Sequence, residues 1–219
     1  MKATRKGAGT GSESMLEGTQ VNDKFWDLKK EKQDRMINGA LKVFAQQGYR
    51  HASTDDIVRE AGISKGLLFH YFGSKLGVYT FVYDYSVRYM TLELSSCVDN
   101  KCKELFALMK QVETAHMHAM RGYPYMQQFL ARSMTEDVSE VLLAIEEKKD
   151  LLTDTYDYIW SRVDYSALPE NVNGEMLRKM MDFSIKGLMA ERLQNDSFQP
   201  EMMYEEVTEY LDMMKSIVY

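Results

Sequence analysis

Residues 61–75 read AGISKGLLFHYFGSK. Gly62, Gly66 and Gly73 punctuate a segment that also carries Lys65, Phe69, His70, Tyr71, Phe72 and Lys75. So interrupted a stretch cannot form one long amphipathic helix; it either turns sharply inside a core or presents polar groups to something. Ser64 is suited to cap a short helix over residues 65–71, in which Leu68 and Phe72 lie one turn apart and reach the same core. Gly73 and Ser74 then break the chain, and Lys75 opens a longer helix.

Working outward, Ser53-Thr54-Asp55-Asp56 supplies a capping hydroxyl and two acids for the first turn of another short helix, which ends at Gly62. Before it, Met36, Ile37, Ala40, Leu41 and Phe44 fall on one face of a helix over 24–47, with Gly48 as its stop. Two short helices meeting at a glycine-containing turn, braced by a longer helix, form a helix-turn-helix module. Its second helix lies in the DNA major groove, with its N-terminal residues at base edges and its flanks at phosphates. Lys65 then meets guanine acceptors or a phosphate, Gly66 lets the backbone approach closely, and Leu67 and Phe69 pack on thymine methyls or sugars. His70 and Tyr71 supply polar tips. Ser53, Thr54, Ser64 and Lys75, at helix starts, offer hydroxyls, an ammonium and free backbone N–H groups to phosphate.

The segment TDDIVREAGISKGLLFHYFGSKLGVY at residues 54–79, preceded by INGALKVFAQQGY at 37–49, resembles the DNA-binding domain of the TetR family of bacterial transcription regulators. Phe44, Gly48 and Tyr49, Ile57-Val58, Ala61-Gly62, Ser64-Lys65-Gly66, Tyr71-Phe72 and Ser74-Lys75 carry the resemblance in order and spacing. Family members often have threonine where this chain has Leu67 and tyrosine where it has Phe69. Two hydroxyls that could bond DNA are therefore absent here, and recognition leans on apolar contact.

The chain of 219 residues has a net charge of −6, unevenly spread. Residues 1–90 hold 14 Lys+Arg against 10 Asp+Glu, a balance of +4, while residues 91–219 hold 13 against 23, a balance of −10. An N-terminal surface that tolerates phosphate and a C-terminal part with another task fit that asymmetry. With 45% apolar and 27% charged residues, three prolines and long runs rich in Leu, Met, Glu and Lys, the expected fold is all-α, with about nine helices. Residues 1–22 hold almost nothing to bury and read as a disordered arm. Domain limits follow at 23–76 for the helix-turn-helix part and 77–219 for a helical bundle. No apolar run reaches the roughly 20 residues of a membrane span, so no membrane partner and a cytoplasmic location are expected. Cys97 and Cys102, five apart, fit neither a redox pair nor a zinc knuckle and read as free thiols.

Beyond Lys75, the periodicity predicts helices over 75–98, 101–121, from Pro124, over 137–163, over 174–193 and over 200–218. The resemblance implies that this half encloses a small-molecule pocket and forms the dimer. Adaptable apolar groups for a pocket are Met109, Met117, Met120, Met126, Tyr123, Phe129, Tyr156 and Trp160, with Arg132 to receive an anionic group. Equally, such stripes make ordinary core. For the dimer interface the helical spacing offers Leu177, Met181, Ser184, Leu188, Val207 and Leu211, which could instead close each subunit's own core. His116 and His118, at i and i+2, point to different faces, so neither a metal site nor any other cofactor is expected. No catalytic motif is present, and no enzyme is expected.

These readings converge on a regulator that binds a palindromic double-stranded operator as a homodimer and is released as a repressor by an unidentified small-molecule effector. The alternative is a helical small-molecule-binding protein or enzyme with a degenerate DNA-binding module.

Overall fold

The computed structural model describes residues 23–193 and 198–219; the arm expected over 1–22 lies outside the described residues. Among the described residues the chain is all-α, with nine α-helices and no strand. They are α1 (Lys30–His51), α2 (Thr54–Ala61), α3 (Lys65–Phe72), α4 (Lys75–Cys97), α5 (Leu105–Gly122), α6 (Met126–Ser133), α7 (Ser139–Ser161), α8 (Gly174–Arg192) and α9 (Pro200–Val218).

Local chemistry sets the boundaries in the N-terminal part. Three serines in succession cap the helices after α1: Ser53 accepts from the Asp56 N–H at 3.0 Å, Ser64 from Leu67 N–H at 3.3 Å and Ser74 from Gly77 N–H at 3.0 Å. Gly62 ends α2 in the left-handed region at φ 61°, where an L side chain would be strained.

Elsewhere the boundaries differ from the periodicity. The helix expected to stop at Gly48 kinks there, at φ 69° and ψ 172°, and resumes to His51. Its start lies at Lys30 rather than near residue 24, because Phe25 turns inward in a 3-10 turn and is fully buried. The Gln33 amide holds that turn, donating to the Trp26 and Leu28 carbonyls at 3.1 and 2.9 Å. At α5, Glu104 sets the start by accepting from Phe106 N–H and Ala107 N–H at 3.2 and 2.7 Å, which leaves residues 101–104 outside the helix. Pro124 precedes α6 instead of opening it.

One apolar cluster runs through the whole molecule, and α4 is its spine. At its start α4 packs on α1 and α3, and further along on α5, α6 and α7, burying Val78, Phe81, Val82, Tyr85, Met90 and Leu94. A division at residue 76/77 therefore falls inside a continuous packed unit, where α4 serves both parts. α9 lies along α5, fastened by Lys110–Asp212 at 2.6 Å, Arg121–Glu201 at 2.6 Å and Thr114 Oγ1 donating to the Tyr204 hydroxyl at 3.0 Å.

Candidate nucleic-acid interface

α2, the Gly62–Ser64 turn and α3 lie against α1 and α4 as a helix-turn-helix. Gly39 of α1 lies close against Ala61 of α2, where an added Cβ would meet the Ala61 backbone nitrogen at 2.8 Å. The close approach fixes the angle at which α2 presents α3. On α3, Leu68 and Phe72 are buried as their spacing predicts, while Lys65, Gly66, Phe69 and His70 are exposed together on the outer face. Phe69 leaves 38% of its surface in solvent, and a Cβ at Gly66 would meet nothing within 4 Å, so the backbone there is open to a close partner. Leu67 is half-buried against the core, Ser64 is exposed at the cap, and Ser53 and Thr54 are half-buried at the start of α2.

Two of the expected DNA-facing groups are engaged inside the subunit instead. Tyr71 is buried, its ring meeting Phe25 edge-on at 5.7 Å; the inward turn of Phe25 draws it there. The Lys75 ammonium donates to the Tyr49 and Ala52 carbonyls at 2.8 and 3.0 Å and lies 4.3 Å from the centre of the Tyr49 ring. It ties the end of α1 to the start of α4, and its reach toward phosphate is correspondingly reduced. The two acids near the α2 start are also placed. Asp55 pairs with Lys65 at 2.9 Å, and Asp56 accepts from the Ser53 hydroxyl and binds Arg59, which together hold its carboxyl below the ordinary value. The Lys65–Asp55 pair is solvent-exposed, so a phosphate or base edge can replace Asp55 at a cost of under about 1 kcal/mol.

The residues expected to surround a ligand are placed in several environments. Met109, Met117, Met120, Met126 and Phe129 are packed core, with Phe129 wedged against Phe44, Tyr79 and Tyr83 at 6.2, 5.2 and 6.4 Å. The Tyr156 hydroxyl meets His116 Nε2 at 2.7 Å, and Trp160 lies under the Arg178 guanidinium at 5.1 Å. Arg132 is on the surface, lining an open polar cleft of about 350 Å³ with Gln47, Gly48, Tyr49, Glu136 and Asp137.

Tyr123 has a different task. Its hydroxyl accepts from Lys30 at 3.1 Å, donates to Asp34 at 2.7 Å and lies 2.6 Å from the Tyr85 hydroxyl, so it links α1, α4 and the α5–α6 turn. Burial, with Tyr85 and Asp34 adding to it, raises the Tyr123 phenol far above its ordinary pKa. Further along α1, Asn38 donates to the Gly122 carbonyl at 2.9 Å. Tyr49 donates its N–H to Glu136 at 3.2 Å and its hydroxyl to Glu140 at 2.8 Å, while Arg50 pairs with Asp137 at 3.1 Å. The helix that frames the candidate interface is thus pinned along its length to the C-terminal half. No spacing in the sequence signals these contacts, which join residues far apart along the chain.

The expected dimer residues are mostly internal. Met181, Leu188, Val207 and Leu211 are buried within the subunit and Leu177 is half-buried, leaving Ser184 exposed. A neighbouring stripe one residue out of phase faces solvent instead: Met176, Met180 and Phe183 on α8, at 60, 58 and 70% exposure, with Met202, Met213 and Ile217 on α9. Gly187 lies on the same side, with open space beyond it.

Residues 36–79 match the family model described as "Bacterial regulatory proteins, tetR family". An HTH-type transcriptional regulator of Bacillus subtilis (strain 168), YuxN, itself uncharacterised, is 44% identical over 59 residues, covering 25% of this chain and 20% of that protein. The matches to the curated relatives span between 20% and 37% of those proteins' lengths. A TetR family transcriptional regulator from Chloroflexus aurantiacus J-10-fl superposes over 91% of this chain and 98% of its own, with TM-score 0.57 and 17% identity. The transcriptional regulator FadR from Bacillus subtilis, solved in complex with stearoyl-CoA, covers 81% of this chain and 96% of its own, with TM-score 0.52 and 17% identity. At such identities these structures share the all-α fold.

Proposed function

We propose, with a TetR-family DNA-binding domain at its N-terminus as the premise, that this protein is a dimeric, sequence-specific transcription regulator whose hold on DNA responds to a small ligand. The observation that carries it is the outer face of α3: Lys65, Gly66, Phe69 and His70 exposed together on a helix whose inner face is locked into the core. An α-helix presented in this way fits the major groove, with a cation for guanine or phosphate and an exposed aromatic for thymine methyls or sugars.

A second copy completes the device. The exposed apolar stripe of α8 and α9 suits a two-fold partner, and Ser184 and Gly187 within it allow close helix approach. Two α3 helices then read the half-sites of a palindrome. Ligand response follows from the pinning of α1: a shift of the α5–α6 turn or the start of α7 is carried through Tyr123, Asn38, Tyr49 and Arg50 to the helix that positions α2 and α3. For switching, the ligand must favour one arrangement by about 1–3 kcal/mol or more. Repression in the cytoplasm, relieved by the ligand, is the form of regulation we assign, without catalysis. No helix among the described residues is long and apolar enough to cross a membrane.

The test is selection of duplexes from a random library, followed by affinity at two salt concentrations. A palindrome bound with Kd of about 10⁻⁸ M or tighter and a steep salt slope is expected, and Lys65→Ala alters the preferred bases. Absence of enrichment, also after unfolding and refolding to strip a co-purified ligand, refutes the reading. With the operator in hand, release by acyl-CoA thioesters is the first effector assay, chosen from the FadR complex that shares the fold.

A further inference from the structure

Glu93 and Cys97 lie four residues apart on α4, so their side chains share one face a single turn apart. Facing them from α5 is His118. Its Nδ1 is 3.4 Å from Cys97 Sγ and 3.3 Å from Glu93 Oε2, and the three ligand atoms all lie within 4.8 Å of one another. We propose that Glu93, Cys97 and His118 form a binding site for a divalent transition-metal ion of the zinc or cobalt class, bridging α4 and α5.

One ring nitrogen faces both a thiol and a carboxylate, so a proton on Nδ1 serves one of them at a time, and without that proton the lone pair accepts from the thiol and repels the carboxylate. A cation at the centre satisfies all three. Zinc bond lengths of about 2.3 Å to sulfur and about 2.0–2.1 Å to nitrogen and oxygen, at tetrahedral angles, place sulfur about 3.6 Å and oxygen about 3.3–3.4 Å from the nitrogen. The observed separations from the nitrogen are 3.4 and 3.3 Å, and sulfur and oxygen lie within 4.8 Å of each other.

Thiolate, imidazole and carboxylate together select zinc or cobalt over magnesium or calcium, which prefer oxygen alone. Three protein ligands leave the fourth position for water or an exogenous ligand. All three residues are half-buried, with 38% of the His118 side chain and 23% of the Glu93 side chain exposed, which gives an ion both a route in and partial shelter. Glu93 also has a polar neighbour: the Tyr89 phenol, half-buried, lies near the carboxylate. On binding, the Cys97 sulfur–hydrogen bond breaks, a metal–sulfur bond forms from the same electron pair, and the proton passes to solvent.

Metal binding is read on the free protein, so its outcome is independent of the DNA-binding reading. Reduced, untagged full-length protein, stripped with a chelator, is titrated with Co²⁺ and then with Zn²⁺. The expected result is one equivalent of cobalt with a thiolate-to-cobalt charge-transfer band and the strong visible bands of tetrahedral coordination, displaced by zinc. Cys97→Ser abolishes the charge-transfer band, His118→Ala and Glu93→Gln weaken affinity by about tenfold or more, and Cys102→Ser leaves the spectrum unchanged. The wild-type titration guards against variants that fail to fold: no thiolate band in the wild type at cobalt concentrations well above the protein's overturns the proposal. A band that survives Cys97→Ser overturns it equally.

Discussion

Tyr123→Phe removes one oxygen from the junction of α1, α4 and the α5–α6 turn while leaving the ring in place. The ring keeps its edge-on contacts with Tyr85 and Tyr89 at 5.4 and 5.2 Å, so no cavity opens and the whole effect belongs to hydrogen bonds. The bond between the Tyr123 and Tyr85 hydroxyls, at 2.6 Å, joins two buried neutral groups and is worth about 1 kcal/mol. Donation from Tyr123 to the Asp34 carboxylate, at 2.7 Å, would be worth about 1.5–3 kcal/mol if fully shielded. One third of the Asp34 side chain is exposed, however, and water can replace the lost donor, so the lower end or less applies. Lys30, at 61% exposure, turns to solvent without loss. The sum is about 2 kcal/mol. Urea unfolding should show it as a midpoint lowered by about 0.7 M at an unchanged slope near 3 kcal/mol/M. Combining the change with Tyr85→Phe should reveal a coupling of about 1 kcal/mol. A midpoint within about 0.2 M of the parent would refute the assignment of Tyr123 as the link between α1 and the C-terminal half.

Phe183→Glu places a charge at the centre of the exposed stripe of α8 and should convert a dimer to a monomer in sedimentation at micromolar concentration. Met181→Glu, buried in the subunit, should instead unfold it; unchanged dimer mass for Phe183→Glu would remove that stripe from the interface. Gly39→Ala, ordinarily stabilising in a helix by about 1 kcal/mol, should destabilise by about 1–3 kcal/mol because its Cβ would press on the Ala61 backbone. A raised Tm would show that α1 and α2 can separate cheaply. Alkaline pH should unfold the protein. Burial is the largest cause pushing the Tyr49 and Tyr89 phenols up to about 12, so the stability they contribute is complete below the unfolded value near 10 and falls as pH rises through 12. Circular dichroism melts between pH 9 and 12 should show Tm falling as the phenols ionise; ionisation of these phenols near 10 with an unchanged Tm would contradict their burial.

Much of the N-terminal part was legible because its information is local. Ser53, Ser64 and Ser74 each bond the backbone three residues ahead, and Gly62 takes a conformation closed to most residues, so α2 and α3 are written by neighbours along the chain. The outer face of α3 followed from the 3.6-residue repeat once Leu68 and Phe72 were assigned to the core. What stayed hidden depended on which groups meet across helices. Tyr71 was expected to face outward until Phe25, 46 residues earlier, supplied an internal partner, and Lys75 is taken up by carbonyls at the end of α1.

The last two helices show the same limit. Sequence by itself determined that α8 and α9 are amphipathic and where they lie along the chain. α8 has two apolar stripes, one through Met181 and Leu188 and one through Met176, Met180 and Phe183, and periodicity cannot say which is turned inward. Packing against the subunit's own α9 decided it, turning the Met181 and Leu188 stripe inward. Likewise, His118 paired by spacing with His116 has no metal-binding partner, whereas folding sets it beside Glu93 and Cys97 of α4. Helix formation is decided by bonds and repeats within a few residues; the face a helix buries, and the chemistry its side chains assemble, are decided by neighbours whose distance along the chain carries no signal.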